Sequence, residues 1–438
     1  MSFEKIDKDS PITISSAVNF FDVDPTNVTN LDSRYKEFLP SNPIDEPPIT
    51  FKLPPSVDYP DWAHSYLKTE IQVFKQGQFD ANPVAIDAGD NISLCQAPGA
   101  TCFKNNKMHV KGREISNPNN YNAFKNIMEI ELNYSKEVKK SFLGLMGYYH
   151  DDKEQNDPSG KGFIARRKLI LDGRRCELIT RLDADPCNID KYWPNNTEVD
   201  FVFYPNDANF MIVAPNKVAT LKIFFLIKSC KLNVLYHNLY DGLNNDIQNR
   251  LNHTSIKYFI KKTEMKTVNL EAGRTELSVN IFNEQIPTRV VIGMLLTTDY
   301  HGDIKTSPFN FKPFDIREIH LECFGRQYPN VLYDLNFGND AFARPYYDMN
   351  HALGNAFTNK SNGITMDDYK NGKCFFVFDL TSGMDQNGGI EIIRQGSTSL
   401  HALFRTALTH GVTMVIYAEY DSMLMIGKNR TVTTDMTV

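Results

Sequence analysis

The sequence predicts an all-β protein with two strand-rich halves. Short runs of apolar, β-branched and aromatic residues recur along the chain, and aromatic residues make up 12% of it. Clusters of Pro, Gly and Asn separate these runs, and few stretches show the longer period of a helix. A helix-like segment near the midpoint leaves roughly 200 residues on each side, which is enough for one jelly roll of eight main strands per half.

The pattern assigns the following elements. Strands are predicted at 49–53, 66–74, 199–204, 220–235, 256–265, 276–282, 289–297, 316–325, 374–381, 400–404 and 413–432. A first helix is predicted within 117–144, where apolar residues have mixed spacing around a charged middle. A second is predicted at 240–251, because Leu243, Ile247 and Leu251 lie four residues apart and form a narrow apolar stripe.

These elements divide the chain into an N-terminal arm at 1–30, a first jelly roll at 31–238 and a second at 239–438. The arm carries an apolar patch of Val18, Phe20 and Phe21 that is too small to build a core. We therefore expect these three side chains to make assembly contacts on another subunit. An arm that folds back onto its own body is the alternative.

Charge is concentrated at the N-terminal end. Residues 1–48 carry nine acidic and four basic residues, so this segment contributes −5 of the chain's formal charge of −6. A flexible arm that grips nucleic acid should be basic, because its affinity comes mainly from neutralising phosphates. Nucleic-acid binding by this arm is therefore disfavoured.

Other totals limit the class of protein. The longest apolar runs are strand-sized and far below the ~20 residues of a spanning helix, so no membrane insertion is expected. Charges in the first residues replace the apolar core of a signal peptide, so secretion is not expected. The seven cysteines are scattered in a large chain, which favours free thiols in a reducing compartment.

No catalytic or cofactor-binding fingerprint is present, and we expect no enzyme activity, cofactor or metal. The stretch 157–162 contains Gly-Lys but lacks the spacing of a phosphate-binding loop. Cys95, Cys102 and His109 match no common zinc spacing. The stretch 148–152 groups a His with two Asp that offer cation ligands, but a solvated loop is the preferred interpretation.

One basic cluster lies at 161–182, with seven basic and two acidic residues. A nucleic-acid surface is one interpretation, but only Phe163 is available there for base stacking. A solvated region of strand and turn, pairing with acids on a neighbouring subunit, is preferred. No sequence-specific nucleic-acid binding is expected.

The strand at 413–432 alternates strictly and places Glu419 and Asp421 on the same face. Paired carboxylates on a β-sandwich suit a glycoside hydrolase, and side chains two residues apart on a strand are about 6–7 Å apart. Nothing else in the sequence suggests a sugar cleft. We therefore place the pair on the face away from the core, bonded to a loop or a neighbouring subunit.

Several stretches, in order, resemble the major capsid protein of Maverick/Polinton elements and adintovirus-like viruses. They are "VNFFDVDPTNVTNLDSRYKEFLP", "PITFKLPPSVDYPDW", "NNYNAFKNIMEIELNYSKEVKKSFLGLMGYYHDD", "IPTRVVIGMLLTTDYHGDIKTSPFNFKPFDIREIHLECFG", "YKNGKCFFVFDLT" and the strand at 413–432. The resemblance covers almost the whole chain. No single motif is diagnostic, and the ordered set carries the likeness.

The resemblance implies a double jelly roll, that is, two eight-stranded β-sandwiches side by side, with short helical insertions. It also implies homotrimeric capsomers of pseudo-hexameric outline, an icosahedral shell, a penton or minor capsid protein as partner, and a place in the virion after synthesis in the host cytoplasm or nucleus. The alternative function is a jelly-roll carbohydrate-binding or adhesin-type module that uses surface aromatics such as Trp193 or Tyr346 and Tyr347.

Overall fold

A computed structural model describes residues 5–21, 23–78, 80–384 and 389–434. Most of its regular structure is antiparallel strand. The strands are β1 Asn30–Phe38, β2 Ile49–Leu53, β3 Tyr59–Gln76, β4 Val84–Ala85, β5 Ser93–Leu94, β6 Phe103–Val110, β7 Arg113–Ser116, β8 Cys176–Arg181, β9 Val199–Pro205, β10 Ile212–Val213, β11 Lys222–Leu239, β12 Ile256–Leu270, β13 Glu276–Phe282, β14 Arg289–Leu296, β15 Ile316–Cys323, β16 Arg326–Tyr328, β17 Phe375–Asp379, β18 Thr398–Phe404, β19 Val412–Ile426 and β20 Val432–Thr434.

The helices are short and lie between the strands. They are α1 Pro98–Thr101, α2 Asn122–Asn133, α3 Lys136–Lys140, α4 Lys161–Lys168, α5 Ala208–Met211, α6 Asp241–Leu251, α7 Thr297–Tyr300, α8 Ala343–Ala352 and α9 Met366–Lys370. Single turns of 3-10 helix occur at Ser16–Val18, Phe142–Met146, Asp185–Asn188 and Phe337–Asn339.

The first half of the chain forms one sandwich, called roll 1 below. Its first sheet has the order β1-β11-β3, with β4 and β8 both pairing with β3. Its second sheet has the order β2-β9-β6-β7. Apart from the consecutive pairs β3-β4 and β6-β7, strands that are neighbours in each sheet are distant in sequence, which is the mark of jelly-roll connectivity.

The second half forms roll 2 with the same connectivity. Its first sheet has the order β12-β19-β14-β17, and its second has the order β13-β18-β15-β16. The two rolls therefore place equivalent strands in equivalent positions, although the sequence shows no repeat. The predicted all-β double jelly roll with short helical insertions is confirmed.

The strands of roll 1 show the burial period expected of a sheet with one covered face. In β3 the alternate residues Leu67, Thr69, Ile71 and Val73 are buried, and the residues between them are partly exposed. In roll 2, by contrast, nearly every residue of β19 is buried. Its second face is covered because α2 of roll 1 packs against it.

The structure divides one predicted helix. The segment 117–144 contains α2, then α3, then a 3-10 turn. Tyr134 has extended backbone and ends α2, and the Ser135 side chain accepts the N–H of Val138 to start α3. The predicted helix at 240–251 is observed as α6.

Several strands were missed in the sequence because their residues are polar. β1, with the sequence NLDSRYKEF, has mostly exposed side chains, and β6 holds four polar residues in succession at 104–107. Such strands form because pairing with a long buried neighbour outweighs their weak intrinsic preference. Here β1 pairs with β11 over its length, and β6 pairs with β9.

Candidate assembly site

Buried and partly buried polar side chains join the two rolls, and α2 lies at the centre of this contact. We call the group formed by Lys125, Glu129, Arg181, Asp183, Asp185, Thr263, Arg289, Tyr417 and Glu419 the inter-roll network. Lys125 of α2 forms an ion pair with Asp185. Asp185 in turn accepts hydrogen bonds from the backbone N–H and the hydroxyl of Thr263 in β12, both at 2.8 Å. One carboxylate of roll 1 is thus bonded to the edge strand of roll 2.

Glu129 extends the network from α2 to β8 and β19. It forms an ion pair with Arg181, and the Tyr417 hydroxyl lies 3.4 Å from its Oε1. Asp183 lies beside them, and Asn126 donates to its Oδ2 at 2.7 Å. Burial raises the pKa of the Asp183 carboxyl to about 6, with a further contribution from Glu129, against the opposing effect of Arg181.

A second buried group surrounds Glu131, one helical half-turn further along α2. Lys139 and Lys373 each donate to its Oε2 at 3.0 Å, and the Tyr148 hydroxyl donates to its Oε1 at 2.9 Å. Burial alone would raise the pKa of this carboxyl, but the two lysines lower it to about 2. Because Lys373 belongs to roll 2, this group also ties the rolls together.

The face of β19 that carries Glu419 and Asp421 is buried against other parts of the same chain. Glu419 forms an ion pair with Arg289 and accepts the Tyr417 hydroxyl at 2.8 Å. Asp421 accepts the backbone N–H of Glu391 from a loop at 2.9 Å. The predicted bond to a loop is therefore present for Asp421. The Arg289 guanidinium counteracts burial and lowers the pKa of Glu419, so this side chain is not poised as a proton donor.

The basic cluster at 161–182 does not form the solvated strand and turn that the sequence favours. Its first part is the helix α4, and only its last part is the strand β8. Arg166 is fully buried and forms an ion pair with Asp151, whose Oδ1 lies 2.8 Å from its Nη2. The acid partners of Arg166 and Arg181 lie in the same chain, because burying these cations requires charge compensation within the fold.

The loop at 148–152, expected to be solvated, is buried at two positions. Tyr148 bonds to Glu131 and Asp151 bonds to Arg166. Cys95 and Cys102 are buried, while His109 lies 3.8 Å from Glu114. Within the described ranges no group of three or more His, Cys, Asp or Glu side chains is arranged to hold a metal ion.

Comparisons with known proteins bear on the fold. No protein-family model matches the chain. Over 355 residues it is 28% identical to "Uncharacterized protein F54H12.2" of Caenorhabditis elegans, covering 79% of this chain and 82% of that protein. In the part of the chain that the structure describes, no helix is long and apolar enough to cross a membrane.

Three solved structures with the same architecture are viral. A chain of the Sputnik virophage cryo-EM structure aligns with a TM-score of 0.63 at 11% identity, covering 100% of this chain and 95% of that one. The PBCV-1 virus capsid aligns with a TM-score of 0.59 at 10% identity, covering 96% and 100%. The mavirus major capsid protein aligns with a TM-score of 0.58 at 11% identity, covering 100% and 97%. This chain has the double jelly-roll fold of viral capsid proteins.

In this double jelly roll, the arm side chains named from the sequence are exposed. Phe20 and Phe21 are 77% and 94% exposed, and Val18 is about half exposed. The ordered contacts of the body begin just after the arm, where the N–H of Tyr240 donates to Thr29 and the Asn30 amide donates to the Tyr192 hydroxyl at 3.1 Å. The role of the arm as an anchor stays a prediction.

The double jelly roll does not place all the candidate glycan-binding aromatics on the surface. Trp193 is fully buried and stacks on Tyr258 across the two rolls, so its proposed surface role was wrong. The Tyr346 hydroxyl donates to the backbone of Ile364. Tyr347 is partly exposed and contacts the ring of Phe357. Whether an aromatic residue lies on the surface depends on tertiary contacts, and the sequence does not reveal these contacts.

Sequence reasoning missed a further exposed apolar surface in roll 2. The segment between β17 and β18 exposes Ile390, Ile392 and Ile393. The same molecule exposes Leu31 and Tyr35 on β1. The run "GGIEIIRQG" holds the first set, and its flanking glycines are a sign of a loop. Sequence alone does not distinguish such a run from a short buried strand.

Proposed function

We propose that this chain is a structural major capsid protein that forms trimeric, pseudo-hexameric capsomers, and that these assemble into an icosahedral shell. The family proposed is that of Maverick/Polinton elements and adintovirus-like viruses. The proposed partners are other copies of the chain and a penton or minor capsid protein. The proposed location is the virion capsid, after synthesis in the host cytoplasm or nucleus.

The observation that carries this proposal is the match of the whole chain to capsid chains. The alignments cover 95% or more of the Sputnik, PBCV-1 and mavirus chains. They therefore include both rolls, their shared strand order and their side-by-side contact. A match limited to one roll would fit any jelly-roll module. The pairing of two rolls in one chain favours a capsomer subunit over a carbohydrate-binding or adhesin-type module.

The buried contact between the rolls supports the same function. A shell subunit must hold its two rolls at a fixed angle, because six rolls have to close one ring. The inter-roll network and the Glu131 group fix this angle with charged, directional bonds that are lost if either roll shifts. We propose the division into an arm at 1–30, roll 1 at 31–238 and roll 2 at 239–438.

The site contacts also support a role without catalysis. Glu419, the strongest carboxylate candidate in the sequence, is engaged by Arg289 and Tyr417. The Arg289 guanidinium favours the ionised form of this carboxyl, so it is not poised to give a proton to a substrate. Its contacts instead join β19 to Arg289 of β14, which also bonds to Asn133 of α2.

Mass measurement and electron microscopy of the purified chain test the proposal. We expect a species of three times 50.0 kDa by light scattering, and pseudo-hexagonal capsomers or closed shells by negative stain. An obligate trimer of this kind should bury over ~2,000 Å² per interface, so it should persist at high salt. A chain that stays monomeric at all salt and protein concentrations would overturn the proposal.

A further inference from the structure

One segment makes part of the contact between roll 1 and roll 2 within the chain. It joins β8 to β9, spans residues 182–198, and is called the first connector. Its Asp185 accepts the N–H of Thr263, and the Tyr258 hydroxyl donates to the backbone of its Tyr192 at 2.7 Å. Trp193 stacks on the ring of Tyr258. The first connector thus covers the outer edge of β12, the first strand of roll 2.

Because the rolls share one strand order, roll 2 has an equivalent segment. It joins β17 to β18, spans residues 380–397, and is called the second connector; its described parts are 380–384 and 389–397. It is tied to roll 2 at its end, where the N–H of Ile286 donates to the backbone of Arg394 at 2.9 Å. Yet it exposes apolar side chains, and Ile392 is 81% exposed. The first connector buries Trp193 against the next roll, whereas the second leaves its isoleucines uncovered.

The strand that corresponds to β12 in roll 1 is β1. Each is the first strand of its roll, and each pairs with the last long strand, β11 or β19. Among the described strands, β1 has no second neighbour, and Leu31 and Tyr35 on it are more than half exposed. An edge strand with exposed apolar residues is open to contact with another chain.

We propose that the second connector of one subunit covers β1 of the next subunit, as the first connector covers β12 within each chain. The occupant of the exposed isoleucine surface is therefore a second copy of this chain. The contact joins unlike surfaces, so it propagates around an axis and closes after three chains, which gives a ring of six rolls. This inference rests on the proposed trimer and names the surfaces that form it.

Cysteine cross-linking in the full chain tests this contact. All seven native cysteines are buried, so exposed engineered cysteines should react first with a short bismaleimide. The double variant Leu31→Cys/Ile392→Cys should give covalent dimers and trimers, with the product ending at the trimer. Each single variant should give at most a trace of dimer. The matched control Leu31→Cys/Phe357→Cys pairs β1 with an equally exposed apolar residue of roll 2 outside the connector, and it should not cross-link.

Two other results have distinct meanings. If the untreated protein is trimeric but Leu31→Cys/Ile392→Cys stays monomeric on denaturing gels, the proposed contact is wrong while the capsid function stands. Cross-linking of Ile392→Cys to Val18→Cys instead would make the arm the occupant and would also overturn it. A monomeric untreated protein would instead remove the proposed function itself.

Substitution of the surface gives an independent readout. The triple variant Ile390→Ser/Ile392→Ser/Ile393→Ser should raise the trimer dissociation constant at least tenfold in analytical ultracentrifugation. Phe357→Ser removes a similar exposed apolar side chain and should leave the constant unchanged. Because all four side chains are exposed, the monomer fold should keep its melting temperature. Equal dissociation constants for both variants would contradict the proposed contact.

Discussion

Glu419 has a different role in the folded chain from the one that its place in the sequence suggests. In the sequence it is half of a carboxylate pair on an alternating strand. In the folded chain it is buried and compensates the charge of Arg289, which also bonds to Asn133 of α2. A carboxylate in this setting contributes by keeping a buried cation paired, and removing it leaves that cation uncompensated.

Glu419→Gln should therefore destabilise the protein without abolishing any reaction. Glutamine keeps the size and one acceptor oxygen but removes the charge that faces Arg289, so we expect a loss of roughly 1–3 kcal/mol in the free energy of unfolding. Chemical denaturation measures this value. Glu137→Gln on the exposed surface of α3 is the control and should change it by less than ~0.5 kcal/mol. Equal stability of both variants would show that the ion pair with Arg289 contributes nothing.

Asp183 predicts a pH dependence. Its pKa in the folded chain is about 6, and its ordinary value is about 3.9. The folded state thus favours the protonated form, so the stabilisation from this group is complete below about pH 4 and is lost as pH rises through 6. At pH 7.5 the buried charge of Asp183 opposes folding.

Asp183→Asn should raise the free energy of unfolding at pH 7.5 by on the order of 1–3 kcal/mol, since it removes this buried charge. The gain should shrink toward pH 5, where the native Asp183 is protonated. Melting temperatures of variant and native protein across pH 5–8 provide the measurement. Asp190→Asn, at an exposed position of the same connector, should follow the native curve. A gain that stays constant over this range would exclude titration of Asp183 as its cause.

At the scale of elements, the arm and α2 have opposite roles. α2 is almost wholly buried and joins the rolls through Lys125, Glu129 and Glu131. The arm exposes its apolar side chains and joins the body at Thr29. One element fixes the subunit internally, and the other is available to bind outside it.

Deletion of residues 1–24 should leave trimers intact and impair shell formation. The reason is that Val18, Phe20 and Phe21 are exposed in the single chain, so burying them requires an adjacent subunit or capsomer. Negative-stain counts of shells, with light scattering for the trimer, measure both effects. A full-length variant with Val18→Ser, Phe20→Ser and Phe21→Ser is the matched test of the side chains. Shells at the native yield in both cases would refute the anchoring role.

At the scale of the molecule, the two rolls share one strand topology, but their connectors are covered to different extents. The first connector is largely buried between the rolls, while the isoleucines in the described part of the second are exposed. A single chain can satisfy only the contact inside itself. The surplus apolar surface is what a closed ring of three chains would bury.

The sequence by itself determined the all-β class, the two halves, the mid-chain helix and most long strands. These follow from local rules, because a period of two and the turn residues between runs depend only on neighbouring positions. The resemblance in ordered motifs also pointed to the double jelly roll. Polar strands such as β1 and β6 did not show this pattern.

Only the tertiary structure decided which faces are covered and which charges are paired. Alternation in β19 predicts two faces, but the burial of its polar face depends on α2, nearly 300 residues away in the chain. The sequence also did not predict the exposure of Ile392 or the burial of Trp193, because the burial of an apolar side chain depends on its neighbours in the fold. Burial is set by contacts between distant segments, and a local pattern carries no information about them.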